Sequence, residues 1–289
     1  MNYRTLSIGL IVIFFALTAL TGASAGEANP EKLRVALLPD ENASEVIKKN
    51  KPLKAYLEKT IGKKIELVVT TDYSSMIEAM RHGRLELAYF GPLSYVLARS
   101  KSNIEAFAAL SKKGSTTYHA VVIGNIEKGV NSIEDIRGKD MAYGDPASTS
   151  SHLIPKSMLE DKGLSARNDY KEHFLGAHDA VALSVQNGRA QAGGLSKPIF
   201  ETLVRNGRID KSKVKVLAVS KPFPQYPWTM RSDLAPSLKE KIRNTFWNLS
   251  DPEVLAGFKG ATEFGQMSDE DYDVVRELAS VLNLDLDRM

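Results

Sequence analysis

The sequence predicts an α/β protein built as two lobes joined by two crossing strands, and three observations carry that reading. Short apolar runs alternate with amphipathic helical stretches from Lys32 onward, the mark of parallel strands covered by helices on both faces. Two β-rich runs, AFAALS (106–111) and YHAVVIGN (118–125), then follow one another without a helix between them, after which the alternation restarts. From Arg231 the chain turns mainly helical, as a tail packing back on the first lobe would.

The first strand, KLRVALLP (32–39), is a near-continuous apolar run ending at Pro39. ASEVIKKNKPLKAYLEKTIG (43–62) has helical apolar spacing and a terminal glycine, and KIELVVTT (64–71) is the second strand. SSMIEAMRHG (74–83) is a helix, LELAYF (85–90) the third strand, and SYVLARS (94–100) opens the next helix. Beyond the two β-rich runs come a helix in SIEDIRG (132–138), a strand in KDMAYGD (139–145) and a helix in SHLIPKSMLEDKG (151–163). HDAVALSVQNG (178–188) and KPIFETLVRNG (197–207) are helices on either side of the strand AQAGGL (190–195); VKVLAVS (214–220) is a further strand. The strongest helices of the tail are SLKEKIRNTFWNL (237–249) and SDEDYDVVRELASVLNL (268–284). With crossings near 110–120 and 214–225, residues 26–115 and 218–289 form one lobe and residues 116–217 the other. Two lobes on two crossing strands can close like a hinge over a ligand.

The N-terminus and the composition point to a compartment. MNYR carries one positive charge, LSIGLIVIFFALTAL is apolar, and TGASA has the small residues of a signal-peptidase site, so residues 1–25 are expected to be a leader cleaved after Ala25. The apolar run is short for a membrane span. The chain has no cysteine, which removes both disulfides and the lipid-modified cysteine that tethers many exported proteins. A soluble periplasmic monomer is expected. The net charge of +3 falls to +2 without Arg4, its signs are interspersed, and no basic block of the kind that tracks nucleic acid is present.

In open α/β sheets ligands sit at the carboxyl ends of the strands. That rule singles out LPDE (38–41), TTDYSS (70–75), YFGPLS (89–94) and GDPASTS (144–150). The last places Ser148, Thr149 and Ser150 at a helix start, where capping needs only one hydroxyl. The surplus suits an anion site, in which first-turn N–H groups and hydroxyls face an oxyanion. Tyr73 with Ser74 and Ser75, and Ser94 after Phe90-Gly91-Pro92, offer similar chemistry. Capping explains any one turn; their coincidence at one cleft favours an anion site. His178 opens a helix, where it either caps in solvent or donates to that anion.

Catalysis is a poor fit. Ser148, His178 and Asp179 lack a G-x-S-x-G elbow, and adjacent His and Asp on a helix point to different faces. The five histidines include no HExxH, and there is no Gly-rich phosphate loop, so neither metal nor cofactor is expected.

YFGPLSYVLA (89–98), GDPASTSSHLIP (144–155) and GAHDAVALSVQNGRAQAG (176–193) together resemble the substrate-binding proteins of phosphonate and phosphite ABC transporters. The similarity runs from about Lys32 into the C-terminal helices. It implies a type II periplasmic binding protein, each lobe a mixed, mainly parallel sheet flanked by helices. It also implies an inner-membrane permease as partner and a small oxyanion as ligand. By the same resemblance Tyr73, Ser148, Thr149, Ser150 and His178 bind the phosphorus oxygens, with Tyr89, Phe90, Asp179 and Tyr226 completing the set. Phe90 stands where relatives often have Tyr. Lys197 and Tyr226 stand where relatives that take an aminoalkyl phosphonate have carboxylates, so an ammonium tail would lose its partners. The expected ligand is phosphite or a short phosphonate such as methylphosphonate. At about 1.5 kcal/mol per heavy atom, four-atom phosphite reaches roughly 6 kcal/mol, so tighter capture needs charge-assisted hydrogen bonds. The alternatives are an exported hydrolase of phosphoryl compounds and the ligand-sensing subunit of a periplasmic signalling complex.

Overall fold

The structure, a computed structural model, describes residues 28–258 and 261–284. The expected leader, residues 1–25, lies outside the described residues. The first βα units are β1 (Lys32–Leu37), α1 (Ala43–Lys49), α2 (Lys51–Ile61), β2 (Lys64–Val69), α3 (Tyr73–Arg81), β3 (Leu87–Tyr89) and α4 (Pro92–Lys101). The single helix expected over 43–62 is two, because Pro52 lies in the first turn of α2 and has no N–H to continue α1. The Asn50 side chain closes the break by donating to Val46 O at 2.9 Å.

β4 (Ile104–Ser111), β5 (Thr117–Tyr118) and β6 (Ala120–Asn125) carry the chain across to the second unit. There β7 (Asp140–Tyr143) runs into a π-turn over Thr149–Leu153 and α5 (Ile154–Glu160). β8 (Lys171–Phe174), α6 (His178–Gln186), β9 (Ala192–Ser196), α7 (Lys197–Arg205) and β10 (Val214–Val219) complete it. The return passes through β11 (Phe223–Pro224) and β12 (Pro227–Arg231) to α8 (Pro236–Trp247), α9 (Pro252–Ala256), β13 (Glu263–Gln266) and α10 (Asp273–Val281). SIEDIRG forms only a 3₁₀ turn, Glu134–Ile136.

Two mixed sheets result. The first has the order β13-β4-β12-β3-β1-β2, with β1 parallel to β2 and β3, and β12 antiparallel to both β3 and β4. The second, β10-β6-β9-β7-β8, is parallel across β9-β7-β8 and antiparallel on either side of β6. A two-stranded link, β5 with β11, pairs Tyr118 with Phe223 and Thr117 with Pro224 where the chain crosses. These are the two hinge strands, and the architecture is that of a two-lobe type II binding protein.

Period-2 alternation loads both faces of β1. Leu33, Val35 and Leu37 pack with Leu57 of α2 and Phe246 of α8, while Ala36 faces Met76 of α3 and Val96 of α4. The second sheet does the same: Val121 and Ile123 meet Val181 and Ile199, and Val122 meets Ile136 and Leu159. Leu37 lies opposite Val69 on one side and Tyr89 on the other, so β1, β2 and β3 end level and deliver their turns to one edge.

Candidate functional site

The turns after β1, β2 and β3 in the first lobe meet the GDPASTS turn and the start of α6 in the second. At β2 the Asp72 carboxylate accepts the Ser75 N–H at 2.6 Å, which starts α3 and sets Tyr73, only 1 % exposed, at its first position. At β3 the Ser94 hydroxyl accepts the Gly91 N–H at 3.0 Å and fixes the start of α4. In the second lobe the Ser148 hydroxyl accepts the Ser151 N–H at 3.1 Å. The Leu153 N–H reaches five residues back to Ser148 O at 3.0 Å, the bond that makes this a π-turn. Ser151 is structural: its hydroxyl accepts the Gly144 N–H at 2.9 Å and donates to Gly194 O at 2.5 Å. Gly144 must be glycine for this, since a Cβ there would stand 2.8 Å from Ser151 Oγ.

The lobes touch through backbone groups. Leu93 N–H of α4 donates to Thr149 Oγ1 at 2.7 Å, Tyr73 N–H of α3 to Asp145 Oδ2 at 3.3 Å, and His178 N–H of α6 to Asp40 O at 2.9 Å. The N-termini of α3, α4 and α6 therefore reach across the cleft. In this arrangement their first N–H groups grip the opposite lobe, and side chains are left to face the space between.

Those side chains are neutral donors. The hydroxyl of Tyr73 lies by Ser148, that of Tyr118 by Ser150 and Thr149, and that of Tyr226 by Ser150. Burial raises the pKa of all three phenols, with the Asp40 carboxylate adding to the effect, so they stay protonated. His178 is fully buried; its Nδ1 accepts the Ser196 N–H at 3.0 Å, so a neutral ring carries its proton on Nε2, 3.5 Å from Ser148 Oγ. The hydroxyls of Tyr73, Tyr118 and Ser150 are buried without a protein partner. Among the described residues no lysine or arginine is buried.

Of the residues expected from the sequence, Tyr73, Ser148, Thr149, Ser150, His178 and Tyr226 are brought together. Phe90 is fully buried in an apolar cluster that also holds Tyr73, Tyr118 and Tyr226. Tyr89 lies in an aromatic row, its ring centroid 5.5 Å from Tyr226 and 5.0 Å from Trp228. Asp179 turns to the cleft rim, 3.5 Å from Arg208. Lys197 pairs with Glu201 at 3.7 Å on the wall of an adjoining cleft of about 380 Å³, which Tyr118 and Tyr226 also line. Two residues were missed. Tyr118 sits in the first crossing strand, and only its aromatic ring beside a polar run hinted at a role. Asp40, 5 % exposed, belongs to the LPDE turn, but nothing local distinguished it from Glu41.

Two lobes hinged on paired strands, closing neutral donors around a small space, define a solute-binding protein for a compact anion rather than an enzyme. A family model described as the ABC transporter, phosphonate, periplasmic substrate-binding protein matches residues 35–272, and the chain belongs to that family. It is 28% identical over 236 residues to the phosphate-import protein PhnD of Mycolicibacterium smegmatis, covering 78% of this chain and 74% of that protein. It is 26% identical over 287 residues to the phosphonates-binding periplasmic protein of Escherichia coli, covering 96% and 85%. In structure it is similar to PhnD1 of Prochlorococcus marinus in complex with methylphosphonate, with a TM-score of 0.82 at 23% identity over 89% of this chain and 100% of that one.

Proposed function

We propose that this protein captures phosphite or a short phosphonate such as methylphosphonate in the periplasm and hands it to an inner-membrane ABC permease. On this reading it is exported by the leader ending at Ala25 and works as a monomer whose lobes, 26–115 with 218–289 and 116–217, close on the ligand. One observation carries the choice of ligand: the orphaned hydroxyls of Tyr73, Tyr118 and Ser150 converge beside the His178 Nε2–H, a shell of donors without a cation. Such a shell suits a small oxyanion whose charge is met by several charge-assisted hydrogen bonds, each contributing roughly 1.5–3 kcal/mol. Tyr226, 5 % exposed and 5.3 Å from the Tyr118 ring centroid, closes the space against a bulky tail. Lys197 offers an ammonium tail repulsion rather than a partner.

Calorimetry on protein freed of ligand tests the reading. Phosphite and methylphosphonate should bind more tightly than 2-aminoethylphosphonate, and Lys197→Glu should narrow that gap. Absence of binding heat with phosphite, methylphosphonate and phosphate alike would refute it.

A further inference from the structure

The wall that Tyr118 and Tyr226 set beside the donor shell has a second side. Their rings meet edge-on with centroids 5.3 Å apart, and both also line the adjoining cleft of about 380 Å³. Both lobes build that cleft, through Leu110 and Ser111 at the end of β4 in the first and through α7 in the second. At Ser196, a lining residue, it comes within one hydrogen bond of the shell, because the Ser196 N–H donates to His178 Nδ1 at 3.0 Å.

Where the shell is neutral, the cleft is cationic. Among the described residues that line it, Lys112, Lys197 and Arg205 outnumber one carboxylate, Glu201. Spacing by four residues puts Lys197, Glu201 and Arg205 on one face of α7, whose positive N-terminal end lies on the same wall. Lys197 stands 3.7 Å from Glu201, a contact between side chains 39% and 57% exposed, so little holds its ammonium there against a better partner. Arg205 donates to Thr202 Oγ1 at 3.0 Å, which steadies its guanidinium along the cleft. A second negative charge delivered to this wall would be attracted; an ammonium would be repelled, and a methyl group would leave the cleft unused.

Resting on the function proposed above, we propose that the ligands include phosphonates bearing a carboxylate one or two carbons from phosphorus. The donor shell holds the phosphonate, and the slender tail passes Tyr226 so that its carboxylate lies in the cleft against Lys197 and Arg205. The two anionic groups of such a ligand are thereby met by two different kinds of wall.

Phosphonoacetate and its neutral isostere phosphonoacetamide are the decisive probes. By calorimetry on protein freed of ligand, phosphonoacetate should bind roughly fivefold or more tightly than the amide, the gain expected of a charge-assisted contact over a neutral one. That gap should shrink in about 1 M salt, which screens charges more than about 3 Å apart. Lys197→Gln should narrow it and Lys197→Glu should reverse it. A wild-type gap below about fivefold, a gap that salt does not move, or one that Lys197→Gln leaves undiminished would overturn the inference while leaving phosphonate capture intact. Should Lys197→Gln not fold by circular dichroism, the wild-type gap and its salt dependence decide alone. Absence of binding by phosphite, methylphosphonate and both probes alike would overturn the proposed function, and this inference with it.

Discussion

Ser196 N–H donates to His178 Nδ1, so one backbone bond sets the tautomer of a fully buried ring and turns its Nε2–H toward Ser148. Ser150 and Ser151 are neighbours with opposite duties. Ser151 satisfies Gly144 and Gly194, whereas the Ser150 hydroxyl is buried with no protein partner. Ser150→Ala should therefore weaken methylphosphonate binding by about 1.5–3 kcal/mol, roughly 10- to 100-fold, while leaving the melting temperature of ligand-free protein unchanged or higher. Ser151→Ala should do the reverse, lowering the melting temperature first. Tyr118→Phe should behave like Ser150→Ala. Equal affinities for wild type, Ser150→Ala and Tyr118→Phe would remove both hydroxyls from the site.

The π-turn that presents these hydroxyls is held by its own buried elements. Gly194 of β9 lets it approach, since a Cβ there would stand 2.4 Å from the rigid Pro155 ring. Gly194→Ala should lower stability by about 1–3 kcal/mol, read as a drop in the unfolding midpoint. His152, within the turn, is 4 % exposed; its Nδ1–H donates to Pro146 O at 2.7 Å and its Nε2 has no partner. Burial pushes its pKa down from 6.5 to about 4. The folded state thus favours the neutral ring, so this contribution to stability is fully present above pH 6.5 and is lost as the pH falls toward 4. The lost part is about 3 kcal/mol. Denaturant titrations of wild type and His152→Asn at pH 7 and pH 4 should show a steeper loss in the wild type; parallel losses would mean that the ring is not held neutral.

Across the whole molecule, Leu93 with Thr149, Tyr73 with Asp145 and His178 with Asp40 tie one lobe to the other around the donor shell. Ligand that bridges the same gap should favour this closed arrangement. Small-angle scattering is expected to give a smaller radius of gyration with methylphosphonate than without it, and ligand at 100 times Kd should stabilise the fold by about 2.7 kcal/mol. Identical scattering in the two states would argue against hinge closure. The alternation of strands and helices was legible because hydrophobic period and turn chemistry are local. PWTMR was not read as β12 because Pro227 opens the strand, which then lies between β3 and β4 through pairings more than a hundred residues distant. The amino-acid sequence by itself determined the α/β class, the hydroxyl-rich turns and the family. Only the tertiary structure decided that Tyr118 joins them, that Asp40 O meets the His178 N–H across the cleft, which nitrogen of His178 carries the proton, and which serine is structural. Those outcomes depend on groups far apart in the chain meeting across two lobes, and no local pattern encodes such a meeting.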